Sequence, residues 1–304
     1  MLINNTSAVA EKAPSASQKR NTVTMSDQMR SYLRHPMSGV LALLTLLATI
    51  VTFAMLAFLV VYILVKGVPY LSADLFSLEY TSENVSLVPS LINTFLMTII
   101  SLVIAAPLGI FAAIYLVEYA KKGSRFVSLI RITAETLSGI PSIVFGLFGM
   151  LFFVTTLKWR LSMLSGAMTM VIMILPLIMR TAEEALRSVP DSYREASFGL
   201  GAGKLRTIFT IVLPSAVPGI LAGIILAIGR VVGETAALLY TSGTLPDIAQ
   251  NLMSSGRTLA LHMYVLSSEG LHMNQAAATA VIILLFVLFI NWLSGVAAKR
   301  IAKG

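Results

Sequence analysis

The sequence has no cysteine and few charged side chains. The absence of cysteine from all 304 residues excludes a disulfide framework, a thiolate nucleophile and a cysteine-based metal site. Charged residues make up 12% of the chain and hydrophobic residues 57%, whereas an average soluble domain contains about 25% charged residues. These polar side chains are too few to cover a soluble core of this size. The composition therefore predicts an integral membrane protein.

Long uncharged segments predict six membrane-spanning helices. Each segment reaches the length of about 20 residues that is needed to cross the hydrocarbon core. The predicted spans are 39–65, 90–117, 136–157, 161–179, 207–229 and 273–298. The fold class expected from them is an all-α integral membrane protein.

The distribution of lysine and arginine predicts the orientation of these spans. If both ends of the chain are cytoplasmic, 17 basic residues lie on the inner side and 4 on the outer side, with Arg230 inside the membrane. Because basic residues are retained on the cytoplasmic side, both termini are expected there. The basic residues behind the net charge of +8 are therefore explained by the orientation of the chain in the membrane, and nucleic acid is not an expected partner.

The segments outside the spans have different compositions. Residues 1–38 are rich in Ser, Ala, Thr and Lys without an apolar period, which predicts a mostly disordered cytoplasmic tail. Residues 39–65 form the first predicted helix, 90–298 a core of five further helices, and 299–304 a short cytoplasmic tail. The outer segment 241–272 is apolar enough for a short helix on or in the membrane surface.

A long inner loop, residues 180–214, interrupts the apolar pattern. Its first part is expected to extend the fourth span until Pro190, because proline interrupts a helix. Asp191 or Ser192 is a plausible N-cap for a short helix over 193–200. The loop is longer than a bare connection between two helices requires. Glycine, alanine and serine in it favour the close approach of another protein.

The loop sequence EASFGLGAGKLRTIFTIVLP resembles the EAA loop of ABC importer permeases. The residues that carry the resemblance are Glu195, Ala196, Ser197, Gly201 and Pro214. Ser197 stands where many family members have a second alanine. The resemblance implies that a short cytoplasmic helix docks onto an ATP-hydrolysing partner. An ordinary connecting loop is the alternative interpretation.

A second polar group interrupts the fifth predicted span. Arg230 is followed by Glu234 at i+4 and by Thr235, so an ion pair on one helix face is expected. An arginine inside the membrane costs about 2.5–3.5 kcal/mol unless it meets water or a partner. The pair is interpreted either as a structural salt bridge or as part of a path for an anion, since a guanidinium fork suits phosphate. Arg131 and Glu135 are likewise expected to pair.

Two further segments resemble signatures of phosphate ABC importer permeases. They are GRVVGETAAL, which contains Arg230, Glu234 and Thr235, and GIPSIVFGLFG, which contains Pro141 and Ser142. Ala237 stands where the family often has proline. The resemblance implies the MetI-like architecture and a PstA-type subunit. Pro141, Ser142 and Glu135 are possible pathway residues.

The same resemblance implies partners for the chain. They are a homologous permease of the PstC type, an ATPase dimer of the PstB type, a periplasmic or lipid-anchored binding protein of the PstS type, membrane lipid and inorganic phosphate. ATP and Mg²⁺ belong to the ATPase, and this chain is expected to be non-catalytic and without a metal. The alternatives are a molybdate or sulfate ABC importer permease and an ATP-independent secondary transporter. The bacterial or archaeal plasma membrane is the expected location.

Overall fold

The structure is a computed structural model that describes residues 36–121 and 123–301 of the chain. The predicted tails, 1–38 and 299–304, lie mostly outside these residues. The chain divides into two units, Met1–Val60 and Val61–Gly304. Most of the first long helix belongs to the first unit, and all other helices belong to the second.

Helix α1 covers Pro36–Gly67, two to three residues more at each end than the predicted first span. Most of its surface is exposed and apolar. Thr45, Thr49 and Thr52 donate hydrogen bonds from their hydroxyls to carbonyls one turn earlier. The hydroxyls of these three threonines are therefore satisfied within the helix, as the hydrocarbon core of a membrane demands.

The second unit consists of ten further α-helices in the described part of the chain, several of them extended by π turns. They are α2 (Val88–Ile114), α3 (Arg125–Ser138), α4 (Ser142–Gly149), α5 (Met163–Arg187), α6 (Asp191–Gly199), α7 (Lys204–Thr207), α8 (Leu213–Val232), α9 (Ala236–Leu239), α10 (Leu259–Glu269) and α11 (Met273–Ile301). The π turns are Tyr115–Tyr119, Met150–Thr156 and Ile208–Val212. No strand occurs among the residues described, which agrees with the predicted all-α class.

Helix α5 is the centre of the second unit. Its apolar side chains are buried against α2 and α8. Glycines permit this packing: a Cβ on Gly109 would lie 2.9 Å from the Ile178 side chain, and one on Gly223 would overlap the Thr181 hydroxyl. Small residues at such contacts let membrane helices approach closely, so that dispersion forces hold them together.

The predicted third span, 136–157, is wrong as one continuous helix. Helix α3 ends at Ser138, α4 begins at Ser142, and the two differ in direction by 101°. Proline disfavours the helical region for the residue before it, here Ile140, and Pro141 itself takes an extended ψ of 141° as the N-cap of α4. The sequence GIP is therefore a corner between two helices.

The helical structure at the predicted fifth span, 207–229, is longer by three residues at each end, but it ends before Glu234. Helical structure runs from Lys204 to Val232 with a π turn before Pro214. Pro214 has no N–H to donate, and the Leu213 N–H reaches back five residues to the Ile208 carbonyl. The wide turn accommodates the proline without a break in the helix.

Five helices of the described residues are long and apolar enough to span a membrane, and the bent α3–α4 pair would make six. The segment 241–272 contains a short helix, α10, as expected. The sidedness of the termini and the position of α10 in the membrane stay predictions.

Candidate coupling helix and candidate transport path

The short helix of the inner loop, α6, follows directly after α5. Ser188 and Val189 separate α5 from Pro190, which is the N-cap of α6 with φ −58° and ψ 140°. The predicted side-chain N-cap at Asp191 or Ser192 is therefore wrong. Asp191 lies in the first turn of α6, where its negative charge is favourable beside the helix N-terminus.

Gly201 ends this helix in a specific way. Its φ is +82°, in the left-handed region that L-residues with a Cβ disfavour. The Gly201 N–H donates to the Phe198 carbonyl at 2.9 Å, and the Ala202 N–H donates to the Ser197 carbonyl at 3.1 Å. This pair of bonds is a Schellman motif, which satisfies the last carbonyls of α6 and reverses the chain.

Ser197 joins α6 to the next helix. Its hydroxyl lies 2.8 Å from the Thr207 hydroxyl, in a buried contact, and the Thr207 hydroxyl also donates to the Gly203 carbonyl. The serine at this position thus supplies a hydrogen bond that alanine lacks. The departure from the usual EAA pattern has a local structural role.

Arg194 fixes α6 to the rest of the inner side, and the sequence reasoning did not single it out. Its guanidinium binds the Glu118 carboxylate at 2.8 Å and donates to the carbonyls of Leu186 and Val189 at 3.0 and 2.8 Å. The side chains of Arg194 and Glu118 are only 13% and 9% exposed. One half-buried arginine therefore connects α6, the end of α5 and the π turn after α2.

The solvent-facing side of α6 presents both a charged side chain and apolar surface. Glu195 and Ala196 are exposed. Phe198 and Leu200 are 47% and 90% exposed. Beside them is a cleft of about 540 Å³, lined by Tyr193, Ala196, Ser197, Leu200, Gly201, Ala202, Arg206, Thr210 and Ile211. Pro214 lies on the following helix and not in this cleft.

The charged residues of α3 pair with α5 and not with each other. The Arg131 Nε lies 2.8 Å from the Glu183 carboxylate, which Arg187 also binds at 2.8 Å. Glu135 is exposed and lies 3.7 Å from Arg180. The predicted Arg131–Glu135 pair is therefore wrong, because the corner at Pro141 lays α3 against the inner end of α5.

Arg230 and Glu234 do not form the predicted ion pair. Helix α8 ends at Val232, so Glu234 lies beyond the helix and i+4 geometry no longer applies. The buried Glu234 carboxylate instead accepts a hydrogen bond from the Ala237 N–H at 3.0 Å. Thr235 is the N-cap of α9, and its carbonyl accepts from the Leu239 N–H. Glu234 thus satisfies a backbone donor of the short helix that follows.

Arg230 is half-buried and makes no ion pair with any residue that the structure describes. A Cβ added to the neighbouring Gly229 would meet no atom within 4 Å, so the Gly229 side of α8 borders open space.

The segments GIPSIVFGLFG and GRVVGETAAL contact each other in the fold. A Cβ on Gly146 of α4 would lie 2.8 Å from the Cα of Ala237 in α9, so the backbones are in direct contact. Pro141 is exposed and Ser142 half-buried at the start of α4. The Ala237 side chain lies fully buried at this contact.

The long apolar helices and the short helix held at their inner ends define a membrane-embedded transport permease. The chain belongs to the family described as "Binding-protein-dependent transport system inner membrane component", whose profile matches residues 105–303.

Relatives of known name agree with this assignment. The chain is 32% identical over 267 residues to the phosphate transport system permease protein PstA of Haemophilus influenzae, covering 86% of this chain and 94% of the relative. It is 34% identical over 270 residues to the probable ABC transporter permease protein YqgI of Bacillus subtilis, covering 82% and 92%. The prediction of a PstA-type ABC importer permease, a non-catalytic transport subunit, is confirmed.

A solved structure supports the fold. The bacterial alginate ABC transporter, in complex with its alginate pentasaccharide-bound periplasmic protein, matches with a TM-score of 0.66 over 90% of this chain and 99% of the solved chain. The sequence identity is 16%, so this likeness concerns the architecture alone.

Proposed function

We propose that this chain is one of the two permease subunits of an ATP-driven inorganic phosphate importer. In this proposal it forms the transport path with a homologous PstC-type permease in the plasma membrane of a bacterium or archaeon. A PstB-type ATPase dimer binds its inner side, and a PstS-type binding protein delivers phosphate from outside. ATP and Mg²⁺ bind to the ATPase.

The observation that carries the coupling role is the way in which α6 is held. Its solvent-facing side exposes Glu195 and Phe198, and Leu200 is exposed just after it, whereas the half-buried Arg194 on its other side fixes it to two spanning helices. A partner that pulls on α6 would move the inner ends of α5 and α2 together with it. The Schellman turn at Gly201 keeps the following residues in position for the same movement.

Arg230 and the relatives support phosphate as cargo. Relatives of the chain include a PstA permease over nearly the full length. Arg230 is half-buried beside the open face at Gly229. A guanidinium donates two parallel hydrogen bonds to two oxygens of an oxyanion, which a lysine ammonium cannot do with the same geometry. Glu234, Thr235, Glu135, Pro141 and Ser142 remain proposed pathway residues.

The proposed cycle has three steps. Two ATPase subunits close on ATP while a loaded binding protein docks outside. Closure pulls the short helix 191–199, and the permease pair opens outward so that phosphate passes Arg230. ATP hydrolysis then restores the inward-open state.

Uptake of radiolabelled phosphate in cells that lack the chain tests this function. The expected result is that the native chain restores uptake, that Arg230→Gln restores at most about a tenth of it, and that arsenate competes whereas excess sulfate or molybdate does not. Competition by sulfate or molybdate would assign the chain to another oxyanion importer. Uptake that does not depend on the chain would overturn the phosphate assignment.

The same cells distinguish an ATP-independent secondary transporter. Inactivation of the partner ATPase is expected to abolish the uptake that the native chain restores. Persistence of that uptake without a functional ATPase would contradict the coupling role of α6.

A further inference from the structure

A cavity lies between the end of α1 and two other helices, away from the proposed coupling helix and from Arg230. It has a volume of about 380 Å³, and it is lined by the last turns of α1, by α10 and by the first turns of α11. The part of α1 that lines it begins at Tyr62 and therefore belongs to the same unit as α10 and α11. The volume is within the range of about 300–1,000 Å³ that is typical of small-molecule sites.

Backbone packing at Gly67 fixes the walls of this cavity. A Cβ on Gly67 would overlap the Ala277 carbonyl oxygen and the Val281 side chain, so the end of α1 contacts α11 directly. Ala277 also lines the cavity, which therefore begins beside this contact. The separation of the two helices at the cavity is thus set by their backbones.

The lining combines apolar side chains with a few polar ones. Met263 of α10, Met273 of α11 and three alanines of α11 contribute apolar surface. The polar groups include Lys66 and Asn274. Methionine adapts its shape to irregular apolar surfaces, and alanine side chains leave room beside the helix. The lining therefore suits a ligand that has both a polar group and a hydrocarbon part.

The charge of the cavity is positive. Lys66 is exposed and makes no ion pair with any residue that the structure describes. Among the described residues that line the cavity, none is acidic. The C-terminus of α1 beside Lys66 carries only about half an elementary negative charge, and the N-terminus of α11, at Met273 and Asn274, carries a similar positive one. An anionic group is therefore favoured in the cavity.

The cavity lies at the level where two membrane spans end. Lys66 follows directly after the uncharged segment 39–65, and Met273 begins the uncharged segment 273–298. The contact of Gly67 with Ala277, one turn after Met273, places these two ends at the same height. Phospholipid headgroups meet the hydrocarbon core at such a level. The bilayer itself therefore supplies molecules with an anionic group and acyl chains beside the cavity.

We propose that this cavity binds one anionic phospholipid. The Lys66 ammonium pairs with the phosphodiester, and the methionine and alanine side chains contact the hydrocarbon part. Because α1, α10 and α11 all line the cavity, the bound lipid stabilises the packing of the end of α1 against the other two helices. This lipid site is independent of the ion that is transported.

Thermal unfolding of the purified full chain in detergent tests the lipid site. Phosphatidylglycerol is titrated into the micelles, and phosphatidylcholine with the same acyl chains is titrated in parallel. Phosphatidylglycerol is expected to raise the unfolding midpoint in a saturable way, and Lys66→Gln should raise the half-saturating lipid fraction at least 5-fold. Lys121→Gln, at an exposed lysine that lines a different cavity, should leave the titration unchanged. An equal response to both lipids, or equal titrations of the native chain and Lys66→Gln, would overturn the proposal.

A second variant distinguishes the cavity from a general attraction between a lysine and anionic micelles. Ala280→Leu keeps Lys66 and places a larger side chain in the cavity, so a several-fold rise in the half-saturating lipid fraction is expected. Ala54→Leu, at an exposed position of α1, is the matched control. An unchanged titration in Ala280→Leu would contradict the lipid site. Either variant, Lys66→Gln or Ala280→Leu, decides the test if the other fails to fold.

A third titration distinguishes a lipid from a small soluble anion. Glycerol 3-phosphate has the headgroup phosphate without acyl chains, and it is expected to leave the unfolding midpoint unchanged at the concentrations at which phosphatidylglycerol saturates. An equal effect of glycerol 3-phosphate would overturn the assignment to a lipid. All of these outcomes leave the proposed transport function intact.

Discussion

At the residue scale, Arg194 connects the proposed coupling helix to the spanning helices. It donates to the Leu186 carbonyl of α5 and to the Val189 carbonyl just after it, and it pairs with the half-buried Glu118. Cations are favourable at a helix C-terminus because the last carbonyls carry partial negative charge. The side chain therefore stabilises α5 and fixes α6 with the same hydrogen bonds.

Replacement of Arg194 is expected to loosen this connection. Arg194→Gln leaves Glu118 buried without a counter-charge, and loss of one partner of a buried pair costs about 3–5 kcal/mol, reduced here by the residual exposure of both side chains. The thermal unfolding midpoint of the purified chain should fall by several degrees, and ATP-dependent phosphate uptake should fall with it. Arg125→Gln, at an exposed arginine, is the matched control, and equal stability of the two variants would contradict the role given to Arg194.

His262 is expected to make stability depend on pH. Burial, followed by the charge of Arg257, lowers its folded pKa from the ordinary value of 6.5 to about 3, so between these values the unfolded chain binds a proton that the folded chain does not. This contribution to stability is complete above pH 6.5 and is lost as the pH falls toward 3, by about 1.4 kcal/mol for each pH unit. The native unfolding midpoint should therefore fall more steeply from pH 7 to pH 4 than that of His262→Gln. Parallel curves would contradict this assignment.

For single residues, the sequence predicted the location in the fold better than the side chains with which each residue pairs. Glu195, Ala196 and Gly201 lie on or directly after a short inner helix, as expected from the loop pattern. The predicted Arg131–Glu135 and Arg230–Glu234 ion pairs were wrong for different reasons. Arg131 and Glu135 share one helix but pair with Glu183 and Arg180 of α5, whereas α8 ends at Val232, before Glu234. Arg194 gave no signal in the sequence, since its partner Glu118 is 76 residues away along the chain.

At the scale of the elements, the turn after α6 depends on one glycine. Gly201→Ala places a Cβ at φ +82°, which costs about 1–2 kcal/mol. The last carbonyls of α6 would lose their Schellman partners, and ATPase stimulation by the loaded binding protein is expected to fall at least several-fold in the assembled transporter.

Gly203 provides the matched control for this substitution. Its φ is −73°, and a Cβ there would meet no atom within 4 Å. Gly203→Ala should therefore retain stimulation. Full stimulation in Gly201→Ala would show that the turn is not needed for coupling.

The contact between α5 and α8 depends on glycines in a different way. A Cβ on Gly223 would overlap the Thr181 hydroxyl, which itself donates to the Leu177 carbonyl. Overpacking of this kind costs about 1–3 kcal/mol, so Gly223→Ala should lower the unfolding midpoint. Gly229→Ala, on the open face of the same helix, should leave the midpoint unchanged or raise it slightly because alanine favours helix. A neutral Gly223→Ala would contradict the close packing of these helices.

The sequence predicted the bounds of a helix correctly where the length of an uncharged segment determines them. Helices α1 and α11 agree with their predicted spans to within three residues because long uncharged runs leave little choice. Helix α5 continues past the predicted span 161–179 to Arg187, as expected from the extension toward Pro190. The corner at Pro141 and the end of α8 at Val232 were missed, since an uncharged run has the same hydropathy whether its backbone is straight or bent.

At the scale of the whole molecule, the described chain combines a rigid helical core with two polar regions. One region, around Arg194 and Glu118, ties the proposed coupling helix to α5 and to the turn after α2, and beside it the Arg131–Glu183 pair ties α3 to α5. The other region contains the unpaired Arg230 at the end of α8. The family, the all-helical fold and the separation of these two regions were accessible from composition and motifs, whereas the contacts of Arg194 required the structure.

The central claim is that a partner's ATP hydrolysis drives phosphate transport past this chain, and that α6 transmits the movement of the ATPase. The most direct measurement is phosphate uptake into proteoliposomes that contain the assembled transporter and external binding protein, with ATP inside or absent. The account predicts ATP-dependent uptake by the native chain, and loss of at least nine-tenths of it in both Arg230→Gln and Gly201→Ala. ATP hydrolysis should persist in Arg230→Gln. Phosphate uptake without ATP, or undiminished uptake in both variants, would contradict the account.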